Sequence, residues 1–437
     1  MIRSLIIVAL TTAVAAQAAE APPRVLTLDE ALQTALVRHP QVRQARANTT
    51  VAEARADQAA APLLPQVSGN AGYQRSTANF ASRPGSTPSG YAQAQSSTSW
   101  STFNYYNLGL SASQLVYDFG QSTGRWSAAK ATAEAQALTE KATFFQLSLA
   151  LRAAYFQARA AKALVAVATE TLENQERHLA QAQGFVEIGT RPEIDLAQSR
   201  SNRASARVQL INAENTYETA KVRLNQAMGV EGPIDYDVGD ERFPSVTDEE
   251  KSIDDLLEEA IANRPELAAL AAGLRAQELT LSSARGGYWP SLSLSTALTD
   301  AGAAPDKLAW NWNAGAALTW PLFQGGATLA ATAEAHAALE SLRAQVDTER
   351  QQVRVDLDQA RLAVKAAQAS LAATEEAIVY SRESLRLAES RYETGVGSVI
   401  ELSDAQLAVT NVEAQKVQAE LNLATARAQL LQALGRP

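Results

Sequence analysis

The sequence predicts a mainly α-helical chain with a small membrane β-segment, built by internal duplication. Three observations carry this. Two helical hairpins run far longer than a globular core needs, two strand pairs alternate apolar with polar residues, and the second half repeats the first in register. Of 437 residues, 46% are hydrophobic but only 6% aromatic, which suits closely approaching helices rather than a bulky core. The formal charge of −9 comes with no basic stripe to match phosphates and argues against nucleic acid as a partner.

Residues 1–18 read as a secretory signal: Arg3 is the positive end, Leu5 to Leu10 the apolar run, and Ala16-Gln17-Ala18 the cleavage site. No later segment approaches the ~20 uninterrupted apolar residues of a membrane-spanning helix. The chain has no Cys, so disulfides, thiolate metal sites and a lipidated N-terminal Cys are not expected.

The first repeat is placed at 19–229. Thr27 and Glu30 form a capping box, and Leu28, Ala31, Leu32, Ala35 and Leu36 an apolar stripe. His39-Pro40 breaks this helix, because the residue before Pro avoids the α region. Helix resumes to about 61, where Pro62 and Pro65 end it. A strand pair follows over 66–117, with a Ser/Thr/Asn/Gly-rich exposed loop at roughly 75–104. A helical hairpin occupies 122–228, and its first arm (122–186) would be roughly 95 Å long at 1.5 Å per residue. Residues 28–61 and 192–228, stacked end to end, match that single arm in length. A Gly/Pro/Asp-containing linker is expected over 230–250.

The second repeat, 251–437, has a helix, a strand pair at 290–323 and a hairpin at 326–434. Leu28 matches Ile253, His39-Pro40 matches Arg264-Pro265, and Pro65 matches Pro290, at a spacing of 225 residues. Beyond the strands the spacing is 206, as Gly189 against Gly395 and Met228-Gly229 against Leu434-Gly435 show. The difference falls inside the strand–loop–strand segment.

Each hairpin ends in a Gly turn. Gly395 and Gly397 permit a chain reversal, and Ser398 with Glu401 makes a capping box for the return helix. At Gly189-Thr190-Arg191-Pro192-Glu193, Thr190 and Glu193 are expected to make the matching box.

The second strand pair carries the membrane signature. Trp310, Trp312, Ala314, Ala316, Leu318, Trp320 and Leu322 alternate with Asn311, Asn313, Gly315, Ala317 and Thr319, and Trp310 and Trp320 bracket the face as an aromatic girdle. A soluble β-sandwich with Trp in its core is the competing reading. Four strands per chain cannot close a barrel, and an open edge in lipid would strand backbone groups at several kcal/mol each. Three chains give twelve strands, a trimeric barrel with room for a lumen, and the small polar face suits a wet interior. Two apolar stripes along 402–433 suit a helix with a neighbour on each side, as in a tube wall.

In this order — helix, strand pair and hairpin twice over, Pro at each strand entry, Leu322-Phe323-Gln324-Gly325-Gly326 at the strand exit, and paired Gly tips — the chain resembles the TolC family of outer-membrane efflux proteins over essentially its whole mature length. The resemblance implies a trimeric 12-stranded β-barrel continuous with a long α-helical coiled-coil barrel. It further implies an outer-membrane channel reaching into the Gram-negative periplasm, the exit duct of a tripartite efflux or type I secretion system. Its partners would be a periplasmic adaptor, an inner-membrane pump and outer-membrane lipid. At the family's periplasmic gate, a Tyr, an Arg and Asp residues form hydrogen bonds and salt bridges; Tyr392, Asp195, Glu401 and Asp404 fall at such positions. The family's Arg falls on Gly397, with Arg391 or Arg191 as the available substitutes. Gly189, Thr190, Gly395, Val396 and Gly397 would be the adaptor-docking tips.

The gate acids have a plainer reading, as complements to the positive ends of the return helices. No chemistry is expected beyond this. His39, His178 and His336 lack ligand spacing, Asp235-Tyr236-Asp237 lacks the rest of a calcium loop, and no nucleophile elbow or phosphate loop occurs. The expectation is therefore no enzyme, no cofactor and no metal; the alternative from another class is a soluble periplasmic coiled-coil adaptor or structural protein.

Overall fold

The computed structural model describes residues 24–77, 100–247, 249 and 251–436; the expected signal segment and most of the first interstrand loop lie outside these. In chain order the elements are β1 (Arg24–Leu26), α1 (Leu28–Arg38), α2 (Pro40–Ala60), β2 (Gln66–Thr77), β3 (Thr102–Tyr117), α3 (Gln121–Glu187) and α4 (Glu193–Met228). The second half holds β4 (Tyr236–Val238), α5 (Ile253–Asn263), α6 (Pro265–Gly286), β5 (Ser291–Gly302), β6 (Ala309–Thr319), α7 (Ala327–Glu393) and α8 (Val399–Ala433). The molecule is mostly helical, with one four-stranded antiparallel sheet.

The long arms α3 and α7 organise everything else. Toward the hairpin tips the helices lie in the order α4, α3, α8, α7; toward the sheet the order is α2, α3, α6, α7. Thus α2 continues the line of α4, and α6 that of α8. The abutting ends need a residue without a side chain: a Cβ on Gly229 would sit 2.6 Å from the Cα of His39, and one on Gly435 2.8 Å from the carbonyl carbon of Asn263. At the second junction buried Arg264 donates to the Ala433 carbonyl (3.0 Å) and pairs with Asp356 (3.1 Å).

The sheet runs β2-β3-β5-β6. Its register places Val67, Ala71, Leu108, Leu110, Leu294, Leu298, Trp312 and Leu318 on one face, and Ser68, Asn70, Asn107, Ser111, Ser293, Ser295, Asn313 and Thr319 on the other. Four separate alternations therefore merge into one mainly apolar and one mainly polar surface, with Phe103, Tyr105 and Leu115 on the second and Gln114 and Asp300 on the first. Within the chain, β2 and β6 are each paired on one side only.

Three expectations need correcting. The linker 230–250 is not all irregular: β4 pairs in parallel with β1, Val25 opposite Asp237, around a core that includes Tyr155, Phe156 and Phe243. A three-residue strand pairing across two hundred residues leaves no periodic trace. The strands also extend into the expected loop, to Thr77 and from Thr102. Finally, Thr190 does not cap α4. The N-cap there is Pro192, which has no side-chain cap, because Thr190 is used in ending α3: its backbone N–H and its hydroxyl both donate to the Phe185 carbonyl, each at 2.9 Å. At Thr27 and Ser398 the hydroxyl half of the expected box forms, accepting from the N–H of Glu30 and of Glu401, while those two carboxylates pair with Arg24 and Arg391.

Candidate functional site

The two tips share one turn. In each, the last helical turn closes with a Schellman pattern through a left-handed Gly: Thr190 N–H to Phe185 O (2.9 Å) with Gly189 at φ 75°, and Val396 N–H to Arg391 O (3.0 Å) with Gly395 at φ 82°. The second tip is tighter. Gly397 N–H also donates to Arg391 O (2.7 Å), and a Cβ on Gly397 would lie 3.0 Å from backbone atoms of Arg391 and Tyr392. A side chain at 397 would therefore press on the backbone of this turn.

An arginine reaches this turn from the other hairpin. Arg191 reaches from the first tip to the second, where Nη2 donates to the carbonyls of Tyr392 (2.9 Å) and Gly397 (3.0 Å). Its guanidinium lies 4.6 Å from the centre of the Tyr392 ring, and Nη1 is 4.0 Å from Asp195 Oδ2. Tyr392 is 2% exposed, packed with Ala388, Leu402 and Ala405, and meets Phe185 of α3 edge-on at 6.1 Å. Burial, helped by the Asp195 carboxylate, pushes the Tyr392 hydroxyl above its usual pKa against the pull of Arg191. That hydroxyl is buried without a hydrogen-bond partner.

The expected gate residues divide accordingly. Asp195 and Tyr392 come together, bridged by Arg191. Glu401 instead pairs with Arg391 at 2.9 Å on the surface, and Asp404 is exposed. Among the described residues no cluster of three or more His, Cys, Asp or Glu side chains could hold a metal. Beside Val396 the tip faces carry exposed Ile188, Ile194 and Ile400, which were not among the expected tip residues; their position flanking the Gly turns was the available signal.

At the far end, Trp310, Trp312 and Trp320 are all exposed, Trp320 just past the end of β6 with its indole N–H on the Tyr288 carbonyl (3.2 Å). Leu318, Leu322 and Phe323 are exposed beside them. A water-facing sheet would not leave such a surface bare. No helix among the described residues is long and apolar enough to cross a membrane.

The sequence model of the family described as "Outer membrane efflux protein" matches residues 31–230 and 256–436. The chain belongs to the outer membrane efflux protein family. It is 25% identical over 419 residues to the "Pyoverdine export outer membrane protein OpmQ" of Pseudomonas putida, a match covering 93% of this chain and 85% of that protein. Among solved structures, the outer-membrane channel OprN superposes with a TM-score of 0.79 at 21% identity, covering 94% of this chain and 90% of that one. The open state of the Neisseria gonorrhoeae MtrE outer membrane channel superposes with a TM-score of 0.76 at 22% identity, covering 94% and 89%. These two likenesses concern the fold. As a member of the outer membrane efflux family, the protein resides in the outer membrane of a Gram-negative cell, and the relatives are channel proteins rather than enzymes.

Proposed function

We propose that three copies of this chain form a closed duct through the outer membrane, the exit of a tripartite efflux or type I secretion system. The observation that carries this is the sheet: one mainly apolar face, one face mainly of hydroxyls and amides, and two unpaired edges in a single chain. An unpaired edge in lipid is too costly to persist, so the edges must meet in neighbouring copies. The helices agree. The outermost ones, α4 and α7, expose Val208, Ile211 and Val222 on one side and Leu362, Val379 and Leu387 on the other, apolar surface that a neighbouring copy would cover.

In this reading the tips are the periplasmic gate. Arg191 stands in for the family's Arg, Tyr392 and Asp195 complete the latch, and Glu401 and Asp404 line the mouth. Gly189, Thr190, Gly395, Val396 and Gly397, with the exposed Ile188 and Ile400 beside them, form the surface on which an adaptor docks and opens the duct. The pyoverdine-exporting relatives favour a small secreted molecule as cargo, chosen by the inner-membrane pump rather than by the duct. Purified protein added to planar bilayers should give discrete pores and run as a heat-sensitive trimer on gels; a silent, monomeric protein would refute the duct.

A further inference from the structure

Above the tips, the seam where α3 meets the second hairpin is polar. Thr171 and Thr410 hydroxyls lie 3.2 Å apart, and Gln175 donates to Gln406 at 2.8 Å. Next along α3, His178 Nε2 lies 3.6 Å from Glu389 Oε1 of α7. Two atoms of this layer, His178 Nδ1 and Gln406 Nε2, are buried without a hydrogen-bond partner. Unmet polar groups in a buried layer weaken the closed arrangement and reward any movement that admits water.

We propose that His178 is an acid sensor built into this seam: its protonation loosens the hold of α3 on α7 and primes the tips to part. This rests on the gate reading above. In the neutral ring, Nδ1 is a bare acceptor; in the charged ring, it is an N–H confined where nothing accepts it.

The surrounding charges are few. From α7 Glu389 faces the ring; Glu393 is taken by Gln181 (3.5 Å) and Arg382 by Glu413 of α8 (2.7 Å). On α8 Gln406, the partner of Gln175 one turn away, is uncharged, and on α4 Arg203 is held by Glu176 (3.2 Å). On α3 itself, Arg177 opposes a second positive charge, whereas Gln181 favours it. Burial outweighs the help from Glu389 and Gln181, so the closed seam holds the His178 pKa below the usual 6.5.

The sign follows. The parted state, with an ordinary histidine, binds the proton more readily than the closed one. The closed state therefore keeps its full stability above about 6.5, and loses it as pH falls below that value.

The chain has no Cys, so exposed Ala180 and Ser384 can be changed to Cys for spin labels reporting the α3–α7 distance. Labelled chain would be diluted into unlabelled chain. Between about pH 7.5 and about pH 5.5 the distance distribution should shift outward with His178 present and stay fixed in His178→Gln; in bilayers the open fraction should rise several-fold in the first and not in the second. An equal acid response in His178→Gln, or no outward shift in the parent chain, overturns the sensor. Absence of any pore would instead refute the duct, while the label distances still decide the sensor.

Discussion

The two helical tips come from one duplicated plan, yet they use an arginine in opposite ways. Arg391 stays on its own tip, half exposed at 53%, and pairs with Glu401 across the surface; Arg191 leaves its tip, is 16% exposed, and holds two carbonyls and a ring of the other. The difference shows how a repeated turn acquires a role. The Schellman geometry is kept at both ends, because the glycines and the helix ends dictate it. What has changed is which side chain crosses the gap, and the crossing adds a link at the tips to the seam that already joins the two hairpins along α3.

Removing the crossing arginine is the strongest way to break this comparison. Arg191→Ala loses two hydrogen bonds from a charged donor, each worth about 1.5–3 kcal/mol, along with its contact to the Tyr392 ring. It should raise bilayer conductance markedly and speed amide exchange over 392–402; unchanged conductance and exchange would mean the tips are not coupled through it.

A smaller effect separates the glycines. Gly397→Ala forces a Cβ to 3.0 Å from backbone on Arg391 and Tyr392, an overpacking cost of about 1–3 kcal/mol. Gly189→Ala meets open space and bears only the left-handed penalty of about 1–2 kcal/mol. Local exchange should therefore accelerate more at the second tip; the reverse ranking would show that the first turn is the tighter one.

Tyr392→Phe removes a buried hydroxyl with no partner and should leave tip exchange within about 0.5 kcal/mol of the parent or slightly slower. A large loss would reveal a hydrogen bond supplied by a neighbouring chain. The smallest effect is expected of Arg391→Ala, an exposed pair worth roughly 0.2–1 kcal/mol at most; an opening as large as that of Arg191→Ala would erase the distinction between the two tips.

Much of the architecture was legible because it is periodic. Helices of 67 residues and four alternating strands repeat their pattern often enough to be read, and Gly229 and Gly435 mark the end-to-end junctions. The missed features are local or distant. β1 and β4 are three residues each and find one another only through the packed core around Tyr155. Thr190 looked like a cap, but the unmet N–H donors at the start of α4 compete for its hydroxyl with an orphan carbonyl at the end of α3, and the hydroxyl donates to the Phe185 carbonyl. At the tips the sequence offered both Arg391 and Arg191 with nothing to choose between them. The choice depends on the crossing of two hairpins 206 residues apart, which no local spacing encodes.

The closure of the wall is most directly tested by imaging the protein in lipid nanodiscs by single-particle electron microscopy. The duct account predicts a three-fold particle in which β6 of each copy pairs with β2 of the next to complete twelve strands. A particle holding one chain, or a sheet whose edges stay unpaired, would contradict it.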